Sequence, residues 1–138
     1  MSNYFSLLRR TLDCNHRLRV SAGNGRITAI DPFDIGESAA ERLSNQTPLN
    51  DHALMVGPGD LTMTQVASSI LDATSMPVEF VDVDPTKYEA DLIAESPESG
   101  QDVADVYREV RDGTMVVQSD WVSKILGRQP REIGRAHV

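Results

Sequence analysis

Cysteine is nearly absent: Cys14 is the single thiol in 138 residues. One cysteine excludes a disulfide framework and a four-thiolate metal site, and it predicts a reducing, cytoplasmic setting. Aromatic residues are only 5% of the chain, so a core has to be assembled from Val, Ile, Leu, Met and Ala in thin layers around short elements. No run approaches the roughly 18 to 20 apolar residues of a membrane span, and the first residues lack the apolar stretch of a signal peptide, so no membrane partner is expected. Positive charge is scarce too, with 13 Lys and Arg against 21 Asp and Glu and a net charge of −8. Without clustered cations to release counterions, no nucleic acid partner is expected.

What the chain does hold is 40% hydrophobic and 25% charged residues, the profile of one globular domain spanning residues 1–138. Residues 1–30 carry Arg9, Arg10, Arg17, Arg19 and Arg26 against Asp13 alone. This +4 segment, beside a −12 remainder, suits an acidic surface of its own chain or of a partner.

Hydrophobic spacing divides the chain into alternating elements. Phe5, Leu8 and Leu12 predict a short amphipathic helix over 3–12, and Arg26-Ile27-Thr28-Ala29-Ile30-Asp31 a first strand after the Ser21 to Gly25 turn. Asp34, as N-cap with Glu37 three residues on, opens a helix to about Ser44 whose apolar face is Ile35, Ala39, Ala40 and Leu43. Ala53-Leu54-Met55-Val56 reads as a buried strand, ended by Gly57-Pro58-Gly59. Thr62 and Gln65 have capping-box spacing for a helix to about Ala73, and Val78 to Val83 alternates as an edge strand. Helices follow over 85–94 and 101–111, with Gly113 closing the second. Ser119 is the expected N-cap for 120–126, Gly127 a left-handed C-cap, and 131–138 a loose tail. The alternation predicts an α/β class with about three mainly parallel strands and flanking helices.

The chemistry-bearing residues form no familiar catalytic set. There is no G-x-G-x-x-G: Gly23-Asn24-Gly25 precedes a strand, and Gly57-Pro58-Gly59 lacks a third glycine and sets proline where an amide is needed. His16, His52 and His137 have no i, i+4 partner, so no metal site is assigned. Asp82, Asp84, Glu89, Asp91, Glu95 and Glu98 lack the ligand pattern and glycine of a calcium loop and read as a solvated face. Cys14, near Arg10, His16 and Arg17, has no resolving partner and reads as an ordinary thiol.

Five blocks in order carry a resemblance. Gly25 to Ile35 is similar to the "GRVAFIDVRDIA" segment of NmrA-like, atypical short-chain dehydrogenase/reductase proteins. His52 to Thr62 resembles their "YELTGPEALT", Val78 to Val83 their "VTYVDV", Gly127 to Arg131 their "GRPPR", and Met1 to Leu8 their "FMENLL". The resemblance covers the C-terminal half of that family and implies a partial Rossmann-like fold without the glycine-rich NAD(P) turn. The family's Tyr-x-x-x-Lys is missing as well, since Tyr88 leads to Leu92 and Tyr107 to Arg111. The resemblance therefore implies no cofactor, no catalytic residues and no hydride transfer.

What the resemblance leaves is a cleft-forming portion. It places Asn3, Tyr4 and Phe5, with Gly57, Pro58, Gly59 and Asp60, beside a ligand cleft, and the expected function is a non-catalytic small-ligand or protein-binding module. A sheet cut between strands exposes an unpaired edge, so a homodimer through that edge or the N-terminal helix is expected. The alternative is a small enzyme with a cleft at a dimer interface, using Asp31 or Asp34 with His52 as acid and base.

Overall fold

The computed structural model describes residues 11–44 and 52–132. The expected helix over 3–12, the cleft residues Asn3, Tyr4 and Phe5, and most of the tail lie outside the described residues.

The alternation of apolar and polar residues in Arg17–Val20 builds the first strand, β1, with Leu18 and Val20 fully buried. The turn closed by the Gly25 N–H on the Ala22 carbonyl leads into β2, Arg26–Thr28. Helix α1 follows over Pro32–Ser44, then β3 over Asp60–Thr62 and α2 over Met63–Thr74. Strand β4, Glu79–Asp82, precedes α3 (Pro85–Glu95), α4 (Gly100–Asp112) and the short α5 (Trp121–Leu126).

The strands form two pairs. Strands β1 and β4 run parallel, with Arg17 opposite Glu79 and Val20 opposite Asp82. Strands β2 and β3 run antiparallel, with Arg26 opposite Thr62 and Thr28 opposite Asp60. Leu18, Val20, Ile27, Met63, Val66, Tyr107 and Val110 fill the core between strands and helices. Tyr88 of α3 meets Tyr107 of α4 edge-to-face, their centroids 5.5 Å apart.

The α/β class is as expected, while the strand set differs. Among the described residues four strands stand where three are expected: β1 and β3 are additional, and β3 is only three residues long. Ala53–Val56, expected as a buried strand, is extended but joins no ladder among the described residues. Leu54 within it is 51% exposed and only Val56 is buried.

Helix α1 also departs from expectation. Its N-cap is Asp31 rather than Asp34: Asp31 Oδ1 accepts from the Phe33 N–H at 2.7 Å, and the Asp31 carbonyl accepts from the Ile35 N–H. Pro32 takes the first helical position, where its missing N–H costs nothing. Its fully buried residues are the polar pair Asp34 and Ser38, four apart, whereas Ala39, Ala40 and Leu43 are exposed. The helix presents a polar face inward and an apolar face outward.

The other boundaries follow their local signals. Thr62 and Gln65 make a reciprocal capping box, Pro85 sits in the first turn of α3, and Gly113 and Gly127 end α4 and α5 in left-handed conformations. Asp120 rather than Ser119 holds the N-cap position of α5, although Ser119 Oγ accepts from the Trp121 N–H at 3.2 Å.

Candidate ligand cavity and the arginine latch

Strands β2 and β3 carry the candidate site at one end of their ladder. Thr28 Oγ1 donates to Asp60 Oδ1 at 2.5 Å and accepts from the Val117 N–H at 2.9 Å. One hydroxyl thus ties both strands to the segment before α5. Between them lies a cavity of about 540 Å³ lined by Thr28, the run from Val56 to Asp60, and the run from Val117 to Asp120. Gly57, Pro58, Gly59 and Asp60, four of the seven cleft residues expected from the sequence, line this one cavity.

Gly57 is there because the backbones touch. A Cβ at this position would lie 1.8 Å from the Ala29 carbonyl oxygen, so only glycine lets the loop sit against the end of β2. A Cβ on Gly59 meets nothing within 4 Å. The polar chemistry of the cavity is modest: the Asp60 carboxylate, which already accepts from Thr28, the amide of Gln118 and the Ser119 hydroxyl, which accepts from the Trp121 N–H, around apolar Val56, Pro58 and Val117. Lys124 pairs with Asp120 at 2.8 Å on the rim.

A cluster of four charged side chains holds the C-terminal end of α5. Gly127 turns the chain at the end of α5, and Arg128 and Arg131 reach back to the first turns of α1. Arg128 Nη2 donates to Asp34 Oδ1 at 2.7 Å and also pairs with Glu37 Oε2. The Arg131 N–H donates to Asp34 Oδ2 at 2.6 Å, its Nη1 pairs with Asp34 Oδ1, and its Nη2 reaches Glu37 Oε1 at 2.7 Å. Burial pushes the Asp34 carboxyl up, but the Arg131 N–H and the Arg128 guanidinium outweigh it and hold the group below its ordinary value. Hydrogen bonds from Arg131 and then Arg128 hold Glu37 down at about 2. Farther along the same helix, the Arg42 guanidinium lies over the Trp121 ring of α5 at 5.6 Å.

This geometry removes Asp34 from the expected acid–base pair, because its carboxylate is committed to two arginines and is fully buried. Asp31 is buried and caps α1, whereas His52 is exposed. Cys14 and His16 are exposed before β1. No group of three His, Cys, Asp or Glu able to hold a metal occurs among the described residues, and no helix among them is long and apolar enough to cross a membrane.

The acidic stretch is only partly a solvated face. Asp84 caps α3 through the Lys87 N–H, Glu89 pairs with Arg108, and Asp91 pairs with Lys87. Asp82, at the end of β4, accepts from the Gly23 N–H at 2.7 Å and from Arg111 Nη2 at 2.8 Å. Sequence reasoning missed Asp82 and the latch because every one of their partners is distant in the chain.

No protein-family model matches the chain. An uncharacterised oxidoreductase of Bacillus subtilis strain 168, YesF, is 24% identical over 144 residues, covering 100% of this chain and 50% of that protein. A nucleoside-diphosphate-sugar epimerase from Staphylococcus aureus superposes with a TM-score of 0.79 at 20% identity, over 96% of this chain and 47% of the other. An NADPH-dependent quinone oxidoreductase from Escherichia coli, solved with NADPH, gives 0.78 at 19% identity, again over 96% and 47%. The chain thus spans about half the length of the curated relative and of the structures that it matches. Its similarity is to NmrA-like and NAD(P)-dependent epimerase–reductase proteins, consistent with the C-terminal part of such a fold.

Proposed function

We propose that this chain is a non-catalytic binding module that takes a small ligand between the Gly57–Asp60 loop and residues 117–120 and associates with a second copy of itself. The observation that carries the ligand reading is the cavity of about 540 Å³ where four expected cleft residues converge on one wall. That volume falls within the range of small-molecule sites. The non-catalytic reading is supported by the absent Tyr-x-x-x-Lys and the absent glycine-rich turn. The commitment of Asp34 to the latch supports it as well. Self-association is supported by the half-exposed Ala53–Val56 run, which joins no ladder among the described residues, since an extended segment at the surface can pair with a strand of another chain.

The ligand reading is tested by NMR titration of labelled protein with 2-phenylethylamine, 2-phenylethanol and 3-phenylpropionate as probes. Perturbed amides at Gly57, Gly59, Asp60 and Gln118 are expected with at least one probe, and none with any would overturn the cavity as a binding site. NADPH is titrated in parallel by fluorescence. Micromolar NADPH binding would overturn the non-catalytic reading.

A further inference from the structure

Asp60 and Asp120 line the cavity between the Gly57–Asp60 loop and residues 117–120, and among the described residues no lysine, arginine or histidine does. The two carboxylates are not equally compensated. Asp120 is 71% exposed and pairs with Lys124 at 2.8 Å, so at the rim one charge cancels the other. Asp60 is half-buried and makes no ion pair among the described residues. Thr28 donates to its Oδ1, and Oδ2 has no hydrogen-bond partner among the described residues. Arg26 Nη2 donates to the Asp60 carbonyl at 3.1 Å, and Arg26 does not line the cavity. A hydroxyl is neutral, so the bond from Thr28 leaves the charge of Asp60 in place. The lining therefore carries one uncompensated negative charge.

We infer that the cavity takes an organic ammonium, a primary amine on an apolar body, and that Asp60 is the residue that selects it. The inference rests on the ligand reading proposed above and gives that ligand its chemical class. A primary ammonium brings N–H donors, no acceptor and one positive charge. The Asp60 carboxylate supplies the opposite charge and an acceptor, and the Gln118 amide oxygen is a second acceptor in the lining. Val56, Pro58 and Val117 offer contact to the apolar body. An anion meets the reverse situation: it faces Asp60 with no cation in the lining to offset the repulsion. The first turn of α5 favours negative charge, but its N-cap residue is Asp120, which brings a carboxylate of its own. A metal ion is not the guest either, because no group of three His, Cys, Asp or Glu able to hold one occurs among the described residues.

The test compares 2-phenylethylamine, a cation at neutral pH, with the neutral 2-phenylethanol and the anionic 3-phenylpropionate by NMR titration of the full chain at low salt. The amine is expected to bind at least about tenfold tighter than either and to shift the amides of Gly59, Asp60 and Gln118. Asp60→Asn keeps the acceptor for Thr28 and removes the charge, so it is expected to weaken the amine about tenfold and to leave the alcohol unchanged. Lys124→Gln releases Asp120 and is expected to tighten the amine about threefold. Glu98→Gln removes an exposed carboxylate that does not line the cavity and is expected to change nothing. No shift at these amides with any of the probes would overturn the cavity as a binding site and the inference with it. An alcohol or carboxylate bound as tightly as the amine, or amine binding indifferent to Asp60→Asn, would overturn the ammonium class alone and leave the cavity standing.

Discussion

Arg128, one residue past the glycine that ends α5, donates a 2.7 Å hydrogen bond to the fully buried carboxylate of Asp34, 94 positions earlier. This contact and the matching one from Arg131 fix the end of α5 to the start of α1, and the segment entering α5 forms a wall of the cavity. A charge deep in the fold is tolerated because two guanidinium groups and a backbone N–H compensate it.

Asp34→Ala leaves two arginines facing each other across Glu37, and it is expected to destabilise the fold by about 3 kcal/mol. Arg128→Ala and Arg131→Ala should each cost less, because the other guanidinium stays on the carboxylate. Urea unfolding of the three variants checks the order. Equal losses in all three would contradict a shared role.

Acid should loosen the same cluster. Asp34 and Glu37 both titrate lower in the fold than their ordinary values of 3.8 and 4.5, with Glu37 at about 2. A depressed carboxylate pKa adds stability that is fully present above the ordinary value and is lost as pH falls through the folded one. The melting temperature is therefore expected to fall between pH 4.5 and pH 2. Glu37→Gln should flatten part of that fall, as calorimetry across the range would show.

Gly57 and Gly59 should respond oppositely to alanine. The Ala29 carbonyl leaves no room at Gly57, so Gly57→Ala is expected to cost about 3 kcal/mol through a forced backbone shift. Gly59→Ala meets open space and should stay within about 0.5 kcal/mol of wild type. Paired denaturation curves decide the matter.

The capping box of α2 predicts a local effect. Thr62 Oγ1 accepts from the Gln65 N–H at 3.2 Å, and Gln65 Oε1 accepts from the Thr62 N–H at 2.9 Å. Thr62→Ala should cost about 1 kcal/mol. Hydrogen exchange should quicken in the first turn of α2 before it quickens in α4.

The features legible in the sequence were those whose physics is local. Pro85, Gly113, Gly127 and the Thr62–Gln65 pair act on neighbours within a turn, and each falls where its spacing placed it. The Gly57 to Asp60 loop was legible for the same reason, as a sharp stop after an apolar run. Strand pairing is not local. The alternation in Arg17–Val20 was a visible period-two signal that the flanking arginines masked, while Asp60–Thr62 is too short to show a period. Asp34 was assigned to a cap because caps are the commonest use of an aspartate there, and nothing near it in the chain announces Arg128 or Arg131. The outward face of α1 was misread because apolar spacing reveals which residues share a face, not which way that face points.

The parallel pairing of Arg17–Val20 with Glu79–Asp82 bears on the order in which the molecule can assemble. On a ribosome, β1 emerges before β4 and waits until β4 is made, while β2 and β3, and the adjacent helices α3 and α4, close over shorter spans. The Leu18 and Val20 face stays uncovered through that interval. Loop closure over a long span is slow, so a strand whose partner lies this far along the chain stays uncovered until that partner has been made.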